Sequence, residues 1–552
     1  MNTRFLNIAV LIVSGVLIAS TNFFAGCKES PTTLVVSNQP PETYLWVDTL
    51  GSIQTSQVRL HWWGDDPDGF ILGYLITIDG IHWTFTTAND STLIVSIGNN
   101  MLDTANIQVV AVDKQGNGHY DAAVVRNGRN FGPEAFVDSD SNGVYTQGEH
   151  FNDYGAIDPT PASITVVVKN TSPTVEFDPN TKLPLRTLPV VSVLFSGNDL
   201  DGNSTIKEYY IALNDTADTS WARIPNTVSI LTLVGDLSDT SANVVSAVLK
   251  SGVNAEDIGV SVKNLRLNQN NVLYIYAVDI TGAKSAIARL PDTTRTWYVQ
   301  KPRGRRKLLL IDDYGTASPN PDVVYKEILD STFNSEGKSY GDFDVLDLFG
   351  QPISVTVAKP MILETMKLYQ MIFWYSKIAN LRYAQETIPS YLMNGGKALF
   401  STGFDNFIIS SDELPLDFAP IDSLLTSYKV NDSTTNAGYI SRVYANSKVL
   451  PVDSAQANPH PLLVFDRTAI FGSYAAREGP TDKVLYRLDL PKPQNFQEQW
   501  VGNPAVGIQS NNGRLIFFTV PLHLMRTYDA ADNNRSRLVK LFERIFRGDF
   551  GD

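Results

Sequence analysis

The sequence predicts a multidomain chain in which two all-β sandwiches are followed by an α/β domain with a mostly parallel sheet. Two observations carry this. A pattern of strand, acidic turn and strand occurs twice before residue 300, and beyond residue 307 apolar strands alternate with helical periods. At 552 residues the chain exceeds one ordinary core, and 43% hydrophobic with 18% charged residues is the composition of folded domains.

The first copy of the repeat reads "GDDPDGFILGYLITID" from residue 64, and the second "GNDLDGNSTIKEYYIALN" from residue 197. Both contain Gly-x-Asp-x-Asp-Gly followed by alternating apolar residues. "QVRLHWW" and "PVVSVLFS" precede them as strand-like runs. "IQVVAVDKQGN" at 107–117 matches "LYIYAVDITGA" at 273–283. Period-2 alternation between turn clusters predicts a β-sandwich over 40–170 and another over 171–300. Trp62, Tyr74, Trp83, Tyr209 and Trp221 are expected in or near the cores, because sandwiches pack on buried aromatics; a carbohydrate platform is the other use of such residues.

The first copy is longer than the second between its last two predicted strands, and the surplus of about 124–160 holds "DSDSNGVYTQGE". Asp138, Asp140, Asn142, Thr146 and Glu149 fall at positions 1, 3, 5, 9 and 12 of that stretch, and Gly143 at position 6. Calcium takes six or more hard oxygen ligands. This spacing offers it three side chains, the Val144 carbonyl, Thr146 directly or through water, and a bidentate Glu149. The stretch resembles an EF-hand-type loop without helices, as in dockerin-like extracellular segments, which implies calcium as a structural cofactor. A solvated Asp/Asn/Gly loop is the alternative. The acidic turns at Asp65, Asp66 and Asp68, and at Asp199 and Asp201, are expected to cap and turn, though carboxylates also bind ions.

The N-terminus carries an address. Arg4, an apolar run from Phe5 to Ala19 and small residues before Cys27 have the order of a secretory signal over 1–26. "Phe24-Ala25-Gly26-Cys27" resembles a bacterial lipobox, with Phe24 where Leu is usual, and implies lipidation of Cys27, the sole cysteine of the chain. "Cys27-Lys28-Glu29" resembles the export signals of surface lipoproteins in the Bacteroidetes group. An uncleaved membrane helix is the alternative. The expected location is the cell envelope, at the outer membrane or cell surface, with a polar tether over 27–39 and the membrane as a partner through the anchor. A net charge of −14 provides no basic excess for phosphates, so nucleic acid is excluded as a partner. An envelope protein or a glycan is the expected partner.

The two sandwiches resemble fibronectin type III or other immunoglobulin-like modules over about 38–300. After a basic linker at 301–307, "LLLIDD", "YLMNGGKALFSTG" and "GRLIFFTVPLHL" resemble the flavodoxin-like fold of class I glutamine amidotransferase-like domains over 308–552. That family implies a cysteine on a Gly-x-Cys-x-Gly elbow. Here the corresponding turn is Ser401-Thr402-Gly403-Phe404, so amidotransferase chemistry does not carry over.

Ligands of such sheets sit at the carboxyl ends of the strands, where Asp312, Asp313, Tyr375, Ser376, Ser401, Thr402 and His523 are predicted to fall. Ser401 or Thr402 with His523 and Asp313 forms a candidate hydrolase triad, without the Gly-x-Ser-x-Gly elbow. Asp312 with Glu413 is a candidate carboxylate pair that sequence cannot place. The expected function is a lipid-anchored binding or scaffolding protein that is not an enzyme; the alternative is an extracellular hydrolase acting on glycan or ester bonds.

Overall fold

A computed structural model describes residues 38–47, 57–95, 102–179, 181, 183–303, 306–315, 320–333, 343–350, 353–376, 382–403, 418–425, 428–430, 433–435, 439–489, 503–526 and 536–551. The described chain is mostly β, and it divides into two compact units, Met1–Asn170 and Thr171–Asp552.

In the first unit, Glu42–Val47, Gln57–Asp65 and Asp90–Ile94 form one antiparallel sheet, and Thr84–Thr86, Ile71–Thr77, Leu102–Asp113 and Ala162–Lys169 the other, in those orders. The inward positions alternate as a sandwich requires: Val58, Leu60 and Trp62 from one sheet meet Ile107, Val109 and Ala111 from the other. In the second unit the order Ala222–Pro225, Ile206–Leu213, Leu273–Asp279, Ala288–Leu290 repeats the second of these sheets.

One contact makes the repeat physical. Gly64 donates its N–H to the Tyr74 hydroxyl at 3.0 Å, and Gly197 stands in the same relation to Tyr209. A Cβ on Gly197 would lie 2.5 Å from that hydroxyl, so only glycine admits the ring. The second turn shared by both copies ends in Asp113 or Asp279, each fully buried and each accepting a backbone N–H two residues on. Trp62, Tyr74 and Tyr209 are buried and Trp83 and Trp221 half-buried.

The second sandwich differs from its expected outline. A long hairpin, Val244–Ser251 with Glu256–Arg266, extends its other sheet. "RTWYVQ" at 295–300, the run that the repeat predicts as the final strand of this sandwich, does not close the sheet. Trp297–Val299 pairs instead with Arg186–Thr187 and Gln269–Asn271, and Ala288–Leu290 takes the place beside Leu273–Asp279.

Beyond it, Phe343–Asp347, Leu308–Asp313, Met371–Ser376, Lys397–Thr402 and Leu515–Phe518 form five adjacent parallel strands. Helices Pro321–Phe333 and Arg537–Glu543 pack on one face, and Val355–Met366 and Arg382–Met393 on the other. The sheet is mixed rather than mostly parallel. From Ala505–Gln509 onward its strands, including Lys483–Asp489 and Lys448–Pro451, pair antiparallel.

The second sandwich and the α/β sheet share a core. Leu188 and Val190 of the sandwich pack with Val357, Met361 and Ile362 of the Val355–Met366 helix. Buried Glu364 on that helix takes Lys250 at 2.9 Å and Lys367 at 2.7 Å. The segment expected as a solvated linker is held at its start: Lys301 Nζ donates to the Ala242 carbonyl at 2.7 Å. Buried Asp344 accepts from Gln300, the Arg303 N–H and the Tyr369 hydroxyl. Three donors offset part of the cost of burying this carboxylate, and burial still holds it above its ordinary range.

Candidate functional site

The predicted calcium loop belongs to the first unit, between the adjacent strands Leu102–Asp113 and Ala162–Lys169. The ends of its stem are tied by backbone bonds: Val137 N–H to the His150 carbonyl and Asn152 N–H to the Ala135 carbonyl, both 2.8 Å, with an antiparallel bridge between Phe136 and Phe151. Under the loop Tyr120 and Tyr145 stack with ring centroids 3.9 Å apart, and Phe136 and Phe151 meet Tyr145 edge-on. A strand stem and four aromatic rings thus fill the role that two helices fill in a paired EF-hand.

Within the loop, Asp138, Asp140 and Glu149 bring carboxylate oxygens within 4.8 Å of one another. Asp138 accepts from the N–H of Gly143 at 2.9 Å and from that of Asn142 at 3.1 Å. The Gly143 bond holds the Asp138 carboxyl below its ordinary range. Gly143 sits at φ +77°, the left-handed turn that position 6 was expected to make. Glu149 accepts from Ser139 N–H at 2.7 Å and Thr146 N–H at 2.9 Å, so the last residue is folded back over the first turn. Asn142 Nδ2 and the Thr146 hydroxyl both donate to Asp140. Val144 turns its side chain to solvent, 63% exposed. The carboxylates are thus gathered by backbone and side-chain donors.

The returning chain docks on the strand it left. Gly155 N–H bonds the Asp113 carbonyl, and Asp113 N–H the Ala156 carbonyl, both at 2.9 Å. A Cβ on Gly155 would lie 2.8 Å from two backbone carbonyl oxygens, which cannot rotate away. Gly155→Ala is therefore expected to cost about 1–3 kcal/mol of first-unit stability and to lower its thermal midpoint.

The acidic turns bind their own backbone. In the second copy Asp199 accepts from Asp201 N–H and from the Thr205 and Thr171 hydroxyls, and Asp201 from Thr171 N–H. In the first, Asp66 accepts from Asp68 N–H, and Asp68 from Gln39 N–H.

The second candidate group lies at the carboxyl ends of the parallel strands. Asp312, Tyr375 and Ser401 are side by side in register, and Asp313, Ser376 and Thr402 form the next row. Successive side chains of a strand point to opposite faces, so the rows face opposite ways. Asp313 accepts from Trp374 Nε1 at 3.4 Å and the Ser376 hydroxyl at 3.2 Å on one face. On the other, the Tyr325 hydroxyl accepts from the His523 N–H at 2.8 Å and lies 3.5 Å from its Nδ1. Ser401 donates to the Val520 carbonyl at 3.1 Å and accepts from Leu522 N–H.

The sheet therefore separates Asp313 and Thr402 from Ser401 and His523, and the four do not converge as a triad. Tyr325, Ser401, Thr402 and His523 are all buried. Burial lowers His523 to about 4, which keeps it neutral above that pH; burial also pushes Asp313 up to about 6, against the bonds from Trp374 and Ser376. Cys27 and Glu413 lie outside the described residues, as does the apolar run from Phe5 to Ala19. Among the described residues no helix is long and apolar enough to cross a membrane.

No protein-family model and no curated protein matches the chain. Among solved structures, a ThuA-like protein from Bacteroides uniformis is 14% identical, with a TM-score of 0.29, over 44% of this chain and 92% of that one. Fibronectin(III)-like modules of Clostridium thermocellum CbhA are 12% identical, with a TM-score of 0.13, over 47% of this chain and 95% of that one. SGBP-B of the mixed-linkage glucan utilization locus of Bacteroides ovatus, solved with a mixed-linkage heptasaccharide, is 12% identical, with a TM-score of 0.12, over 52% and 76%.

Proposed function

We propose that this chain is a lipid-anchored cell-envelope protein that binds or scaffolds without catalysis, with a structural calcium ion in the loop from Asp138 to Glu149. Three carboxylates drawn within 4.8 Å of one another in an exposed loop carry the reading. Like charges brought this close disfavour one another, and a cation among them would add to what the backbone donors already offset. In the spacing's assignment Asp138, Asp140, Asn142, the Val144 carbonyl, Thr146 and Glu149 hold the ion. The ion would fix the tip of a long insertion, whose base already packs Val124, Phe131, Tyr154 and Ile157 against Leu75, Val110 and Val112 of the sheet.

The C-terminal half fits an amidotransferase-like α/β domain without its nucleophile. Its polar strand-end groups are engaged with one another and with backbone, and they face opposite sides of the sheet, which counts against the hydrolase alternative. The anchor is Cys27, placing the chain at the outer membrane or cell surface with an envelope protein or glycan as partner. Labelling expressing cells with a radioactive fatty acid tests the anchor. The wild-type chain is expected to take up label and partition into detergent, and Cys27→Ala to do neither; equal labelling of both sinks the assignment.

A further inference from the structure

The last turns of the chain carry a pattern the proposed function does not use. Arg537, Lys540, Arg544 and Arg547 recur at i, i+3, i+7 and i+10, a spacing that places them along one face of a helix. Leu538, Leu541, Phe542, Ile545 and Phe546 occupy the opposite face and are buried in the α/β core. All four cations line a cavity of about 900 Å³, closed on its other side by Asn458, Pro459, His460, Pro461 and Leu462. One carboxylate, Glu543, lines it with them, in a chain whose overall charge is −14.

The wall behind the cations is a built ionic network. His460 is 2% exposed; its Nδ1 lies 2.8 Å from Asp453 and its Nε2 2.8 Å from Asp549. Burial raises the Asp453 carboxyl, but the side-chain and backbone bonds from His460 outweigh it and leave Asp453 below its ordinary range. Asp549 also takes Arg544 at 3.2 Å. The π-helical turn over Arg544–Asp549 brings these two, five apart in sequence, together, and such turns often occur at functional positions. Gly548, without a Cβ, leaves room for the Arg544 guanidinium against the backbone. Buried ionic networks are poor sources of stability, so a well-formed one under a cationic cleft calls for another explanation.

We propose that this cleft binds a short stretch of acidic glycan, with carboxylate or sulfate groups of successive sugar units meeting Arg537, Lys540, Arg544 and Arg547 in turn. Two to three helical turns separate the first cation from the last, a span of roughly 15 Å or somewhat less. That span suits a chain bearing anions at intervals and is too long for one small ion. Pro459, Pro461 and Leu462 supply an apolar wall on which sugar rings rest. Through Asp549 the Asp453–His460–Asp549 network positions Arg544. This site is separate from the calcium loop and from the anchor, and it stands or falls without them.

Calorimetry on the full-length protein in detergent tests it with trigalacturonate, maltotriose and inorganic phosphate as probes. Trigalacturonate is expected to bind with a salt-dependent affinity about tenfold or more above that of phosphate, and maltotriose not to bind. Lys540→Gln and Arg547→Gln each weaken it severalfold, and together about tenfold or more; Arg547→Gln also gives up the bond to the Thr332 carbonyl, so its thermal midpoint is read beside its affinity. Equal affinity for phosphate would make the cleft a single-ion site. Binding of maltotriose, indifference to both substitutions, or no heat with trigalacturonate would each overturn the proposal.

Discussion

Asp313→Asn is expected to stabilise the second unit by about 2–3 kcal/mol at pH 7, an uncommon outcome for replacing a charged side chain in a folded domain. The gap between about 6 in the folded chain and the ordinary 3.8 corresponds to about 3 kcal/mol once the carboxyl ionises in both states. The sign follows from proton binding. Between pH 4 and 6 the folded state holds a proton on Asp313 that the unfolded state has lost, so stability falls as pH rises through that window. Asn keeps an acceptor for Trp374 and Ser376 and carries no charge to bury.

His523 works in the opposite direction. Its folded value of about 4 lies below the ordinary 6.5, so the unfolded state binds the extra proton and stability rises with pH between 4 and 6.5. The two partly cancel in the wild type. The variant should therefore show the rising limb alone, with its thermal midpoint a few degrees above wild type at pH 7 and the difference vanishing near pH 4. A gain of equal size at pH 4 and pH 7 would mean that packing, not ionisation, is responsible.

The second large effect is on calcium. Glu149 supplies two of the oxygens in the assigned set, and its carboxylate is already placed by Ser139 and Thr146. Calorimetric titration should give one site, with a Kd on the order of 10⁻⁴–10⁻³ M as in other extracellular modules. Glu149→Gln preserves size and one acceptor but removes the charge, and is expected to weaken binding by about tenfold or more. Asp65→Asn, in the separate acidic turn, should leave the titration unchanged. An unaltered titration in Glu149→Gln would remove the loop from consideration.

The sequence was legible where pattern and structure share a period. The apolar runs at 308–313 and 371–376 are strands buried on both faces, and "PDVVYKEILDSTF" is the helix Pro321–Phe333 from first residue to last. The helix Val355–Met366 was missed because Pro360 sits in its middle, a residue that usually ends a helical reading. Its all-round burial, between the sheet and the second sandwich, also erases the amphipathic stripe.

The antiparallel half of the sheet escaped for a related reason. Strands such as "KVLYRLD" alternate, and nothing local tells whether such a strand extends a parallel sheet or stands apart. Loop spacing located the three converging carboxylates, since their geometry is encoded within twelve residues. The triad could not be judged from sequence, because which face Asp313 and Ser401 occupy depends on their place in the pleat. The cationic stripe went unread, although its i, i+3, i+7, i+10 spacing is present in the sequence. The Asp453–His460–Asp549 network was not legible, since Asp549 lies 89 residues beyond His460.

Limited proteolysis of the full-length protein, with cut sites mapped by mass spectrometry, tests the calcium-tied binding module most directly. With millimolar calcium the segment 124–160 should resist cleavage as well as the sandwich strands on either side. With chelator it should be cut first and at least about tenfold faster. Cleavage there at the same rate with and without calcium would contradict the account, because a loop that needs no ion to hold its shape has no structural calcium site.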